Sequence, residues 1–127
     1  FELTISKPSV HITQIGDPSL CNNFLIPELK QTFLDHLTFT QNRAQADFML
    51  ICNARSTGER RTDLGQMYDF AADVQVKDAQ TNEELCICSE TGKGGASSVN
   101  AAARRAFPHI RTRILEALET CFEDFLK

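Results

Sequence analysis

Apolar and polar residues alternate in several short runs of the chain, a pattern typical of strands with one buried face. The clearest run is residues 67–77, weaker alternation covers residues 9–15, and a third run covers residues 84–90. Residues 47–55 contain four consecutive apolar positions, 48–51, which indicates a central strand covered on both faces. The sequence therefore predicts four strands.

A first helix is predicted after the turn signal at residues 16–18. Asp17 can cap a helix, and Pro18 suits the first helical turn. Pro27 indicates where the regular part of this helix begins, because proline is tolerated only near a helix start. The apolar positions recur three or four residues apart, at Ile26, Leu29, Phe33 and Leu37.

A second, longer helix is predicted to follow Ser97 or Ser98, either of which can act as its cap. Pro108 lies inside this helix and is expected to kink it or divide it in two. The apolar stripe consists of Val99, Ala102, Ala103, Ala106, Ile110, Ile114, Ala117 and Cys121.

Two connections differ in their turn chemistry. Residues 56–66 are polar and contain two glycines, so they are predicted to form a long exposed loop. Residues 78–82 suit a tight hairpin, because Asp78 can start a turn and Asn82 tolerates the left-handed conformation.

The element order β-α-β-β-β-α predicts an α+β two-layer sandwich. It has a mixed four-stranded sheet with its first two strands parallel and both helices on one face.

Composition fits one globular domain spanning residues 1–127. The chain is 42% hydrophobic and 24% charged, and its net charge of −4 disfavours nucleic acid as a partner. No apolar run reaches the roughly 20 residues of a membrane-spanning helix. Because the chain begins with Phe1 and not with Met, we expect it to be the C-terminal part of a longer protein.

The five cysteines are an odd number and include no C-x-x-C pair, so a disulfide framework is not expected. At least one thiol must stay unpaired or bond another chain. Cys86 and Cys88 alternate along a predicted strand and share one face, where we interpret them as small buried hydrophobic residues.

Candidate catalytic and ligand-binding patterns are weak. Residues 91–95 resemble a phosphate-binding loop before a helix, but Gly94 follows Lys93 where a Walker loop needs Ser or Thr. A flexible exit from an edge strand is the preferred interpretation. Binding of an anion or small ligand by Lys93, Gly94 and Gly95, with or without catalysis, is the alternative. His11, His36 and His109 have no metal-ligand or catalytic spacing, so we expect no enzyme activity, no metal and no cofactor.

Charge is segregated along the second helix. Its first half carries Arg104, Arg105 and Arg111, whereas its second half is rich in glutamate. This distribution opposes the helix dipole, whose negative end favours cations, so a partner surface is one explanation and a solvated face is the other. Arg60 and Arg61 in the predicted loop form a second candidate surface.

A resemblance to a family rests on three features: Ala46-Asp47-Phe48 entering a strand, the turn at residues 78–84, and the glycine-rich step at Gly92 before an alanine-rich helix. Over residues 22–118 the chain resembles bacterial lipoprotein domains of the flagellar assembly protein T, curli secretion lipoprotein and penicillin-binding protein activator type. Asn82 replaces the family's usual glycine, which a left-handed position tolerates.

The resemblance implies a non-enzymatic accessory domain of the cell envelope that is part of a lipoprotein and binds an envelope protein. It also implies a periplasmic location or an outer-membrane tether, with membrane contact only through a segment outside this chain. Whether the domain also forms homo-oligomers is left open.

Overall fold

The computed structural model describes residues 8–33, 37–63 and 65–125. In chain order the elements are β1 (Ser9–Gly16), α1 (Pro18–Leu20), a π-helical segment (Cys21–Leu25), α2 (Ile26–Thr32), β2 (Thr38–Phe39), a 3-10 turn (Arg43–Gln45), β3 (Phe48–Thr62), β4 (Gly65–Asp78), β5 (Glu84–Gly95) and α3 (Val99–Phe125).

One mixed sheet contains the strands in the order β2-β1-β3-β4-β5. β1 is parallel to both of its neighbours, whereas β3, β4 and β5 form an antiparallel meander. The α+β class and the parallel pairing of the first two predicted strands are confirmed. The predicted count of four strands is wrong, because β2 is a fifth strand. Its two residues are too few to show a period of two.

Both helical layers cover the same face of the sheet, as predicted. Phe24 stacks on Phe107 with ring centroids 5.3 Å apart, and Phe33 meets Phe122 edge-on at 5.0 Å. Beneath them lie buried strand residues, which include Val10, Leu50, Cys52, Phe70, Val74, Val76 and Cys88. Side chains alternate along each strand, so the opposite side of the sheet, which we call the open face, carries Ile15, Asp69, Asp73, Ile87 and Lys93.

The start of the first helical layer follows its local sequence. The Asp17 carboxylate accepts a hydrogen bond from the Ser19 amide at 2.9 Å, and Pro18 is the first helical residue. The wider π-helical turn ends at Leu25, two residues before Pro27, whose missing amide and bulky ring disrupt regular α-helical bonding. The predicted stripe is confirmed in part: Leu29 and Phe33 are buried and Ile26 is partly buried, whereas Leu37 is buried but lies beyond α2, which ends at Thr32.

The long loop predicted for residues 56–66 is wrong. β3 continues to Thr62 and pairs with β4 from Gly65 onward, with one irregularity between Ser56 and Gly58. This hairpin extends beyond β1, whose pairing with β3 ends at Ala54. Most side chains of this extension are exposed, so no apolar alternation marks the strand. Backbone pairing with β4 defines it instead.

The end of β5 differs from expectation, and of the two outcomes expected at Pro108, a kink or a division of the helix, the division does not occur. β5 continues through Gly95 and does not end at Glu90, so residues 92–95 are strand and not a flexible exit. Ser98 caps α3, as predicted, by accepting a hydrogen bond from the Ala101 amide at 3.3 Å. α3 runs without division through Pro108, which lies on its exposed side, where water can bond the freed carbonyl.

Candidate functional site

The predicted pair of arginines at positions 60 and 61 does not form one patch. Arg60 lies on the open face, where its Nη1 is 2.7 Å from the Asp69 carboxylate. Arg61 follows it on an extended strand, opposite Gln66, and therefore points to the other side of the hairpin. Arg61 is exposed and forms no ion pair within the described residues. Of the two, Arg61 is therefore the guanidinium without a carboxylate partner among the described residues.

The predicted arginines of α3 are also divided. Arg104 and Arg111 are seven residues apart and share a flank of the helix, whereas Arg105 lies about 100° from Arg104. The Arg105 guanidinium donates a hydrogen bond to the Gly95 carbonyl at 2.9 Å. Arg105 therefore holds the end of β5 against the helix, and Arg104 is exposed.

The glycines of β5 allow close packing against α3. A Cβ on Gly92 would lie 2.9 Å from Ile110 Cδ1, and a Cβ on Gly94 would collide with the Ala102 carbonyl oxygen. Lys93, between them, points to the open face and lies opposite Asp69 in the register. The prediction of a loop at residues 91–95 is wrong, because these residues belong to β5. Lys93 and Gly94 face opposite sides of the sheet. Their predicted role in anion binding gains no support from this arrangement.

Arginine–carboxylate pairs organise the open face. Arg55 Nη1 lies 3.0 Å from the Asp73 carboxylate, and this ion pair adds to the one between Arg60 and Asp69. Gln75 donates a hydrogen bond to Glu84 at 2.7 Å. Exposed pairs of this kind contribute about 0–1 kcal/mol each, so they order side chains more than they stabilise the fold.

The cysteines correct one expectation and confirm another. Cys86 and Cys121 form a disulfide, which joins β5 to the second half of α3 across a sequence separation of 35. No local spacing could reveal this pair. Cys88 is a buried free thiol, as predicted, together with Cys21 and Cys52. Burial raises the pKa of Cys52 to about 12 and also raises the pKa of Cys21 and of Cys88.

The histidines do not assemble into a reactive cluster. His11 Nδ1 lies 3.1 Å from the Thr40 carbonyl oxygen, and His109 lies on the exposed side of α3. His36 lies outside the described residues. Within residues 8–33, 37–63 and 65–125, no group of three or more potential metal ligands occurs. No helix in these segments is long and apolar enough to cross a membrane.

A groove with a volume of about 650 Å³ lies between β5 and α3. Its floor includes Ser89 and Glu90, and its wall includes His109, Arg113 and Glu116. Arg113 lies 3.5 Å from the Glu90 carboxylate. β5 pairs with β4 on one side and with no strand on the other among the described residues, so its outer backbone groups border this groove. No sequence pattern marks this groove, because it depends on how α3 packs along β5.

The sequence matches no protein-family model, and no curated protein matches it significantly. Solved structures share its fold. Lipoprotein GNA1162 from Neisseria meningitidis aligns over 92% of this chain and 99% of its own, with 10% identity and a TM-score of 0.56. Protein XCC0632 from Xanthomonas campestris aligns over 94% of this chain and 87% of its own, with 9% identity and a TM-score of 0.61.

A third structure, the PelC dodecamer from Paraburkholderia phytofirmans, aligns over 85% of this chain and 89% of its own, with 12% identity and a TM-score of 0.56. At these identities the likeness concerns the fold. The chain therefore has a fold found in bacterial proteins, one of which is a lipoprotein. The narrower resemblance to the flagellar, curli and penicillin-binding protein activator domains stays a prediction.

Proposed function

We propose that this chain is a non-enzymatic accessory domain of the bacterial cell envelope, carried by a lipoprotein, that binds a protein partner. The observation that carries the proposal is the fold shared with lipoprotein GNA1162 over 92% of the chain. The resemblance of residues 46–48 and 78–84 to envelope lipoprotein domains supports the same assignment. The domain acts in the periplasm or at the outer membrane, where a tether outside this chain holds it.

The disulfide supports an envelope location on independent chemical grounds. Disulfides persist in oxidising compartments such as the bacterial periplasm and are rare in the reducing cytosol. Cys86 and Cys121 come from separate elements of one folded chain, so their bond is structural. The remaining cysteines are buried, which protects their thiols from oxidation in the same compartment.

The extended end of the β3–β4 hairpin is the surface we assign to the partner. Beyond Ala54 the outer edge of β3 has no neighbouring strand among the described residues, so its backbone groups can bond a partner. Arg61 projects from this edge as an exposed guanidinium, which binds carboxylates through paired hydrogen bonds. A protein with an acidic surface beside an extended segment fits both features.

Site-specific photocrosslinking of the full-length protein in intact cells tests this assignment. A photoreactive residue replaces Arg61 in one strain and Gln31, an exposed residue of α2 in the helical layer, in a control strain. We expect position 61 to crosslink one envelope protein that position 31 does not. Recovery of cytosolic proteins alone, or equal crosslinking from both positions, would overturn the proposal. Cell fractionation of the same strains locates the full-length protein directly.

A further inference from the structure

The outer edge of β5 and the flank of α3 beside it carry two charge patterns that share a centre. On the strand, the exposed residues of the open face begin with Glu84 and end with Lys93. The irregularity after Val76 pairs Lys77 with Glu84, which puts the Glu84 side chain on the same face as Lys93. The strand edge is therefore acidic at its start and basic at its end, with Ser89 in the middle.

Along α3 the order of charges is reversed, with basic residues first and acidic residues second. Because α3 runs antiparallel to β5, the basic parts of the strand and of the helix lie at the same end. Gly94 lies against Ala102, Glu90 pairs with Arg113, and Cys86 is bonded to Cys121. Ser89 is therefore level with the middle of α3, and both belong to the groove described above. Contacts at both ends and in the middle fix this alignment, so it does not depend on a single pair.

The flank of α3 beside the groove is basic before this midpoint and acidic after it. Arg105, His109 and Arg113 occupy the first part, with Arg105 bonded to Gly95 at the end of β5. Glu116 and Glu123 follow in the second part and are exposed, without an ion pair among the described residues. An antiparallel copy of the helix would place acidic groups opposite basic groups along this flank.

We propose that two copies of this domain associate through β5, about a two-fold axis that passes near Ser89. The irregularity leaves Leu85 unpaired, so Glu84 and Lys93 are each four pairing positions from Ser89. Antiparallel pairing of Ser89 with Ser89 of the second copy therefore places Glu84 opposite the second copy's Lys93, and Lys93 opposite the second copy's Glu84. The same axis sets the basic part of α3 against the acidic part of the second α3. A two-fold contact is self-complementary, and both charge patterns meet this condition about one centre.

Apolar burial and sheet geometry support the same contact. Ile87 is 57% exposed on the edge strand, and the proposed register places it opposite Thr91 of the second copy, a favourable β-branched pair. A long unprotected edge strand is a template for pairing with another strand. α3 packs over both β5 and β4, so its axis is set back from the outer edge of the sheet. Joining two edges at the usual strand spacing of about 4.8 Å therefore leaves room for two helices to pack about 8–10 Å apart.

Sedimentation equilibrium of the purified, oxidised chain tests the association without reference to the compartment or to any envelope partner. We expect a monomer–dimer equilibrium that high salt weakens, because the proposed ion pairs are exposed. Lys93→Glu sets like charges opposite each other at two symmetric places and should raise the dissociation constant about tenfold. Glu84→Lys combined with Lys93→Glu should restore dimerisation.

Two matched pairs of variants locate the contact. Ile87→Lys should abolish the dimer, whereas Ile15→Lys, at the other strongly exposed isoleucine of the open face, should leave it intact. Ser89→Cys should form an intermolecular disulfide under mild oxidation, because opposed Cβ atoms lie about 5 Å apart in paired strands. Thr13→Cys on β1 is its control. Circular dichroism checks that each variant is folded.

Three outcomes would overturn the proposal. The first is a monomer at every protein concentration up to about 1 mM, far above the dissociation constants of specific dimers. The second is equal loss of the dimer in Ile15→Lys and Ile87→Lys, which would place the contact on the open face. The third is crosslinking of Ser89→Cys no faster than Thr13→Cys. If a strand of a different protein paired with the outer edge of β5 in a monomer, that protein and not a second copy would be the partner at this edge.

Discussion

Gly94 lies against the carbonyl oxygen of Ala102, so the edge strand and the last helix meet backbone to backbone. The contact lies at the start of α3, where Arg105 also holds the Gly95 carbonyl. At the other end of β5, the bond between Cys86 and Cys121 closes the same interface. Strand and helix are thus fixed at both ends of their contact.

Replacing Gly94 with alanine should destabilise the domain, because its methyl group would overlap the Ala102 carbonyl and force the helix away from the strand. Overpacking of this kind costs about 1–3 kcal/mol. The neighbouring Gly95→Ala is a matched control, since its Cβ would meet the Gln66 carbonyl oxygen at an ordinary 3.6 Å. Urea unfolding measures both variants. Equal destabilisation of the two would contradict the packing explanation.

Removal of the disulfide, by Cys86→Ala with Cys121→Ala, should lower the free energy of unfolding by about 2–4 kcal/mol. The cause is the greater freedom of the unfolded chain once the link between β5 and α3 is lost. Chemical denaturation with and without reductant makes the measurement. Reductant should lower the stability of the wild type but not of the double variant, and an effect on both would show that another bond is involved.

Counting thiols tests the cysteine arrangement. Denatured protein without reductant should yield three reactive thiols, Cys21, Cys52 and Cys88, and prior reduction should yield five. In the folded state these thiols should react slowly near pH 8, because burial raises their pKa, to about 12 for Cys52. Mass spectrometry after alkylation gives both counts. Five thiols without reduction would show that Cys86 and Cys121 are unbonded.

Asp78 should make stability depend on pH. Its carboxylate accepts hydrogen bonds from the amides of Thr81 and Gln80, which lowers its pKa in the folded state. A lowered carboxyl pKa stabilises the fold above the unfolded pKa of about 3.9, and this contribution is lost as the pH falls through the folded pKa. Asp78→Ala should therefore destabilise the domain at pH 7. The difference from wild type should shrink in acid, as thermal unfolding across pH would show.

Elements whose cause is local were predicted well from the sequence. Asn82 has the left-handed φ of 62° that its turn requires, and Ser98 caps α3. β4 shows clean alternation because the helices cover only one of its faces. At Asn82 and Ser98 a side chain and its nearest neighbours determine the conformation, and in β4 the burial of one face leaves a period of two in the sequence.

Features that depend on distant partners were missed. The end of β3 becomes a strand because β4 pairs with it, although its own residues are polar and exposed. Cys86 meets Cys121 only once α3 has packed antiparallel along β5. Gly92 and Gly94 were considered for a loop whose backbone approaches an anion, and in the structure they lie in β5, where they leave room for α3. A sequence cannot distinguish these two, because glycine favours both for the same steric reason.

The position of β1 between β2 and β3 bears on how the chain folds. β3, β4, β5 and α3 follow one another in sequence and contact one another in turn, so this part can form by short loop closures. β1 reaches its place between β2 and β3 only after the first helical layer has folded back, which costs more chain entropy. We expect β1 to join last. In the native state its amides should exchange with solvent before those of β4, and unfolding should begin there.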